Sequence, residues 1–343
     1  MKKNVLLLMN YWPNEETYWL CQQLRSNNVS FRLVGIAERL RKLRYAKFCG
    51  NLIWNMVRFV RALLVVLGIQ PNELVLVLDD TASSTYTGLF IRLFHKKNTV
   101  VCLNMMDNLN GSKIKGALYR YTSHVMYYSV NNSYLIDTYA KLYSLPKEKF
   151  FVLPDCISNW GEEILKKNET ITDGDYIFSG GSSYRDWDLL IDTAERLPQY
   201  KFVCVSRKSH FPNRNVPRNL TVFFDLKEDE FQQKLKNSKI VFIPINIETQ
   251  GGQIVIFEAA LYHKPVITTD TIAISQYIKN GENGLLIGFK DVDSATSAVT
   301  RLMEDSKLQE EFKKSLFSTI SALTPEHFFD MLRTFLMSKE INI

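Results

Sequence analysis

Short apolar runs recur near residues 4–10, 30–36, 74–78, 99–105, 124–129 and 150–153, and again near 175–180, 201–205, 220–223, 239–243, 265–268 and 285–287. Helical patterns separate nearly all of them. A short apolar run without alternation, bounded by turn residues, predicts a strand covered on both faces, and such strands belong to parallel sheets whose crossovers are helices. The predicted class is therefore α/β, with two doubly wound, Rossmann-like domains. A length of 343 residues exceeds one ordinary core, and 46% hydrophobic with 23% charged residues is ordinary globular usage. The polar stretch Ser158 to Gly174 marks the junction, dividing the chain into domains at 1–157 and 158–324. Ligands of such sheets bind beyond the carboxyl ends of the strands, so two substrates are expected to meet between the domains.

Cysteines stand at 21, 49, 102, 156 and 204, with no C-x-x-C pair and no His or Cys cluster at zinc spacing. This predicts a reducing compartment and no structural metal. The opening MKKNVLLLMNYWP has an apolar run too short for a signal peptide and reads as a first buried strand of a cytoplasmic protein. Residues 39–61 carry Arg39, Arg41, Lys42, Arg44, Lys47, Arg58 and Arg61 among Leu, Tyr, Phe and Trp, with no acid. Such a surface is drawn to anionic lipid, so peripheral contact with the inner face of the plasma membrane is one reading, and a core helix with a solvated basic face is the other. The run Val60 to Ile69, interrupted by Arg61, is too short to span a bilayer. A net charge of +6 would also suit nucleic acid, but no nucleic-acid motif accompanies it.

The segment Glu248 to Thr269, ETQGGQIVIFEAALYHKPVITT, places a Gly-Gly turn before a helix that carries one acid. Gly251 and Gly252 let a ligand approach bare backbone N–H groups, and the unpaired first-turn N–H groups and positive dipole end of the helix suit a diphosphate. Glu258 lies about two turns on, where its carboxylate would repel phosphate but accept the two hydroxyls of a ribose. An ordinary strand, turn and helix with a solvated Glu remains the alternative.

The whole segment resembles the C-terminal donor-binding motif of GT-B glycosyltransferases, especially the retaining family 4 type. Lys264 to Asp270 (KPVITTD) and Asn280 to Ile287 (NGENGLLI) resemble the segments downstream of the family's E-x7-E motif. Tyr176 to Pro198 resembles the strand, Gly-rich turn and helix that begin its donor domain, and Tyr127 to Ile157 its last N-domain elements. The resemblance covers most of residues 124–305, in order. It implies transfer of a sugar from a UDP- or GDP-linked donor to a glycan or lipid-linked glycan hydroxyl, in cell-surface polysaccharide synthesis, with no other cofactor. In the family's proposed mechanism the leaving phosphate helps deprotonate the acceptor, so no protein nucleophile and no metal is required. It implies that Gly180, Gly181, Ser182, Arg185, Gly251, Gly252 and Gln253 face the diphosphate, and that the stretch 325–343 packs back on the N-domain. Arg207 and Lys208, just beyond the apolar run 201–205 at a strand's carboxyl end, are the nearest candidates for a second cation, or else a solvated loop.

There are departures. The first Glu of E-x7-E falls on Gln250 counted back from Glu258, or on Glu248 counted forward from Pro244, so either faces the donor sugar. Met9 to Trp19 replaces the family's N-terminal Gly-Gly turn. Asp107, with Asn104 and Asn108 at the end of an apolar strand, is the acceptor-side candidate, or else a cap on the next helix. Asp173-Gly174-Asp175 and Asp291-Val292-Asp293 match the D-x-D pattern of metal-dependent enzymes, but read as surface turns. A sugar-nucleotide epimerase and a non-catalytic nucleotide-binding protein of this architecture are the rival readings.

Overall fold

The computed structural model describes residues 4–43, 49–78, 80–107, 111–167, 173–182, 184–248 and 252–343. Its first sheet holds β1 (Asn4–Leu8), β2 (Phe31–Val34), β3 (Glu73–Leu78), β4 (Thr99–Leu103), β5 (Met126–Val130) and β6 (Phe150–Val152), in the order β2-β1-β3-β4-β5-β6. The second holds β7 (Tyr176–Gly180), β8 (Lys201–Ser206), β9 (Leu220–Phe224), β10 (Ile240–Ile243), β11 (Val266–Thr269) and β12 (Leu285–Ile287), in the order β12-β11-β10-β7-β8-β9. Every pairing in both ladders is parallel. The strands β3, β10 and β11 are buried at every position, which is why Leu74–Leu78 and Ile240–Ile243 read as unbroken apolar runs.

The chain divides into two compact units, Met1–Cys156 with Pro325–Ile343, and Ile157–Thr324. Ile157 is fully buried in the second unit, and its N–H donates to Leu323 O at 2.8 Å. In the first unit, Val5 and Leu7 pack with Trp19, Leu20 and Leu24 of the Trp19–Ser26 helix and with Phe328, Phe329 and Leu332 of the Pro325–Ser338 helix. The rings of Trp19 and Phe328 meet edge-on at 4.9 Å, and Phe151 stacks on Phe335 at 3.7 Å. Burying a side chain of this size stabilises by about 2–3 kcal/mol, so this seam fastens the C-terminal helix to the first sheet. In the second unit, the Trp187–Arg196 and Val292–Glu304 helices cover one face of the sheet and the Ile254–Leu261 helix the other.

Side-chain caps start several of these helices. Asp80, Ser112, Asn132, Asp186, Asp291 and Asp305 each accept from a first-turn N–H. Asp291 is thus a cap. Asp173 accepts from Lys264 Nζ at 2.7 Å and Lys313 Nζ at 2.6 Å, and Asp175 pairs with Lys201. In the first D-x-D stretch both acids thus pair with lysines, and in the second Asp291 caps a helix while Asp293 pairs with Arg196.

Candidate functional site

The loop after β7 is built around Arg185. Gly181 has φ +111°, in the left-handed region that favours glycine, and Tyr184 has φ +57°. These two turns bring Tyr184, Arg185 and Asp186 antiparallel to Pro244, Ile245 and Asn246 beyond β10: Asp186 N donates to Pro244 O, and Asn246 N to Tyr184 O, both at 2.9 Å. The guanidinium then lies between two glycine turns. Its Nε donates to Gly180 O at 2.8 Å and its Nη2 to Gly252 O at 3.3 Å.

The glycines are required for this packing. A Cβ on Gly181 would come within 2.6 Å of Arg185 Nη2, and one on Gly252, where φ is +102°, within 3.2 Å of Nη1. Arg185 is 6% exposed, and burial lowers its pKa to about 10, which leaves it protonated at neutral pH. A positive charge is thus held at the carboxyl ends of β7 and β10, beside the first turn of the Ile254–Leu261 helix.

Gln253 is the N-cap residue of that helix and is buried. Gln250 and Gly251 lie outside the described residues. Glu258, 7% exposed, sits in the middle of the helix. Burial pushes its carboxyl up to about 7; a hydrogen bond from Gln232 opposes the rise and the neighbouring charge of Glu228 adds to it. Glu248 is exposed and its Oε1 accepts from Ile272 N at 2.8 Å, tying the loop after β10 to the turn after β11.

Ser182 enters through its carbonyl, which lies 3.1 Å from His210 Nδ1. His210 escapes notice in the sequence, where its only signal is its place just beyond β8. Arg207 and Lys208, in the same loop, are exposed, and their side chains make no ion pair among the described residues. The structure thus brings Gly180, Gly181, Ser182, Arg185, Gly252 and Gln253 to one end of the second sheet, with Arg207 and Lys208 on exposed loop.

In the first unit, Asp107 is a buried acceptor. Its Oδ1 takes Lys115 Nζ at 2.5 Å, and its Oδ2 takes the hydroxyls of Tyr119 at 2.7 Å and Tyr143 at 2.8 Å. Burial and this carboxylate push both phenol pKa values up. The next helix is capped by Ser112 instead, and Asn108 lies outside the described residues.

The basic stretch 39–61 is not one surface, and part of it, 44–48, lies outside the described residues. Arg39, Arg41 and Lys42 are exposed on the Glu38–Lys42 helix, but Arg58 and Arg61 turn inward onto Asp80, at 3.0 Å and 3.4 Å. They share the buried face of the Gly50–Leu67 helix with Trp54 and Val65. The opposite face exposes Leu52, Met56, Val60, Leu64 and Leu67. By length and composition this helix is long and apolar enough to cross a membrane, although it packs on the Thr81–Leu93 helix through Phe59, Tyr86 and Phe90. The shorter run Val60 to Ile69 understates it.

Residues 183–316 match the family model described as glycosyl transferases group 1. No curated protein sequence matches the chain. Solved structures match over almost the full length: a glycosyltransferase from Rickettsia africae (13% identity, 99% of each chain, TM-score 0.70) and the HepE protein of Anabaena in complex with UDP (11% identity, 98% of this chain and 100% of that one, TM-score 0.67). A UDP-forming trehalose-phosphate synthase from Burkholderia xenovorans matches with TM-score 0.73 at 8% identity, over 98% of this chain and 99% of that one. At such identities the likeness carries the fold, and the fold is GT-B.

Proposed function

We propose that this chain, a GT-B fold whose residues 183–316 match the group 1 glycosyltransferases, moves a sugar from a UDP- or GDP-linked donor to a hydroxyl of a glycan or lipid-linked glycan, with retention, in cell-surface polysaccharide synthesis. The observation that carries the reading is the buried Arg185 guanidinium joining the Gly180 and Gly252 carbonyls. It holds two bare turns and a helix N-terminus together around one positive charge, an arrangement suited to the oxygens of a diphosphate. Arg185 acts by holding both turns in place as well as by its charge. Glu258, its carboxyl pushed up to about 7 by burial, would accept the ribose hydroxyls in its ionised form. Charge developing on the leaving diphosphate would then be met by N–H groups and Arg185, and that same phosphate would take the acceptor's proton. HepE, solved with UDP and with UDP-glucose, supports UDP as the first nucleotide to try.

We further infer reversible contact with anionic membrane at the inner face of the plasma membrane. All five cysteines are free, as a reducing compartment requires. The apolar outer face of the Gly50–Leu67 helix, with Arg39, Arg41 and Lys42 close by in sequence, supports the contact.

The test is calorimetric titration of UDP, GDP and ADP, without metal and then with magnesium, into wild type and Glu258→Ala. Selective binding of one diphosphate, weakened at least about tenfold in the variant, supports the donor site. Folded protein that binds none of them sinks it. With the donor class known, the anomeric configuration of the first product formed, read by NMR, decides between retention and inversion.

A further inference from the structure

The Ile254–Leu261 helix is buried from Val255 to Leu261, and Glu258 is its one charged residue. A carboxylate among apolar groups gives up its charge unless hydrogen-bond donors hold it. The Asn159–Lys167 and Ser306–Ser321 helices meet the same core cluster through apolar groups, Trp160 and Ile164 from the first and Leu316 and Ile320 from the second. The cations on the surrounding elements lie at the two ends of the helix and are engaged there. Arg185 holds the Gly180 and Gly252 carbonyls before its first turn, and Lys264 and Lys313 share Asp173 beyond its last, with Lys236 beside Lys264.

The Glu228–Lys236 helix approaches Glu258 differently. It brings two polar side chains one helical turn apart: Gln232, half-buried, donates to the carboxylate, and the charge of the exposed Glu228 repels it. The orientation of the Gln232 amide is set from its other end. Tyr262, the buried C-cap residue of the Glu258 helix, donates its hydroxyl to Gln232 Oε1 at 3.4 Å. Its N–H donates to Glu258 O at 3.0 Å, so the two side chains leave the same turn. With the amide oxygen on the tyrosine, the N–H₂ group is left for Glu258, and an N–H donor favours the ionised carboxyl. Turned over, the amide would offer its oxygen, to which only a protonated carboxyl can donate.

We infer that Gln232 is a positioning residue: its amide, oriented by Tyr262, holds Glu258 as a carboxylate against the repulsion of Glu228 and so keeps it able to accept hydroxyls. That these hydroxyls belong to a ribose rests on the donor-site reading; the hold of Gln232 on Glu258 does not. The two side chains of the Glu228–Lys236 helix thus act in opposite senses on one group. Removing the donor at 232 moves Glu258 toward its protonated form, and removing the charge at 228 moves it toward the carboxylate.

The test is an NMR pH titration of the Glu258 carboxyl carbon in the full chain, isotope-labelled at glutamate Cδ and assigned by the signal that Glu258→Gln removes, with UDP affinity measured over the same pH range. Gln232→Met, close in volume but without the donor, should raise the titration midpoint by about one pH unit. Tyr262→Phe, which frees the amide to turn, should raise it by less, and Glu228→Gln should lower it. A Gln232 that merely packs would lower the melting temperature and leave the midpoint in place, and that result overturns the inference. Should Gln232→Met not fold, Tyr262→Phe and Glu228→Gln keep the packing and decide in its stead: a midpoint unmoved in both overturns it as well. The pH dependence of UDP affinity should follow the carboxyl in each variant. A midpoint that shifts as expected while UDP affinity ignores it upholds the role of Gln232 and sinks the donor-site reading of Glu258 alone.

Discussion

Arg185 Nη2 donates to the carbonyl of Gly252 at 3.3 Å across a sequence separation of 67 residues, joining the turn after β7 to the start of the Ile254–Leu261 helix. The same guanidinium donates through Nε to Gly180 O at 2.8 Å, so a single planar fork holds both turns. Lysine has the charge but not the fork. Arg185→Lys is therefore expected to weaken UDP binding by about tenfold or more, and Arg185→Met by more still, because a charge-assisted hydrogen bond contributes about 1.5–3 kcal/mol. Gly181→Ala should resemble Arg185→Met, since its Cβ would stand 2.6 Å from Nη2. Titration of UDP into each variant decides. Wild-type affinity in Arg185→Lys would show that charge alone suffices.

Glu258 gives the site a pH dependence with a definite sign. Burial, opposed by Gln232 and assisted by Glu228, raises its carboxyl from 4.5 to about 7 in the folded chain. The folded state then holds the proton more tightly, so this contribution is complete below about pH 4.5 and is lost as pH climbs through about 7. Its size is on the order of 3 kcal/mol. Wild type should therefore lose melting temperature between about pH 5 and 8, and Glu258→Gln should flatten that fall. Ribose hydroxyls donate to the ionised form, so UDP affinity should rise over the same range, with proton release detectable by calorimetry in buffers of different ionisation enthalpy. UDP affinity that is flat with pH would remove Glu258 from the ribose.

Lys264 offers a separate test, away from the site. Its side chain has no exposed surface and donates to Asp173, which Lys313 also contacts. Burial alone would raise the Asp173 pKa, but the two lysines outweigh it and hold the carboxyl below its usual range. A depressed carboxyl stabilises above its unfolded pKa, and the contribution disappears as pH falls through the folded value. Asp173→Asn removes a carboxylate that the buried Lys264 ammonium donates to and should cost about 2 kcal/mol at neutral pH, reduced from the fully buried case because Asp173 is 41% exposed. Denaturant melts at neutral and acid pH check it: the gap between wild type and variant should close in acid.

The fold was legible because strands covered on both faces leave an unmistakable trace. Leu74 to Leu78 in β3 and Ile240 to Ile243 in β10 are buried at every position, so no alternation interrupts them. The glycine turn around Gly181 and the cation at Arg185 were legible as well, since positive φ and a guanidinium near a strand end are local features. The tyrosine cage of Asp107 was not, for Tyr119 and Tyr143 arrive from helices 12 and 36 residues downstream. Nor was the pairing of His210 with Ser182 O, which joins two loops of different strands. The inward turn of Arg58 and Arg61 left a trace that a count of charges misses. With Trp54 and Val65 they follow a three-to-four-residue spacing that marks one face of the Gly50–Leu67 helix, and Asp80 waits at the end of the neighbouring strand to receive them.

With those two arginines turned inward, membrane contact rests on the outer face of the same helix. Leu52 is 60% exposed, Met56 59%, Leu64 63% and Leu67 60%, a stripe at helical spacing that water covers at a cost. Each such side chain contributes about 1–2 kcal/mol when it enters an apolar phase, and each nearby cation about 1 kcal/mol at an anionic surface. Flotation with phosphatidylcholine vesicles containing phosphatidylserine should carry the wild type up. Leu64→Asp removes an apolar anchor and adds a like charge to the lipid, so its partitioning should fall by about tenfold or more. Arg39→Glu with Arg41→Glu should weaken binding at low salt and matter less at high salt, where the surface potential is screened. Both sites are exposed on their helices, so the melting temperature should hold in every variant. Wild type that stays at the bottom of the gradient, or a Leu64→Asp variant that floats like wild type, would assign this stripe to something other than lipid.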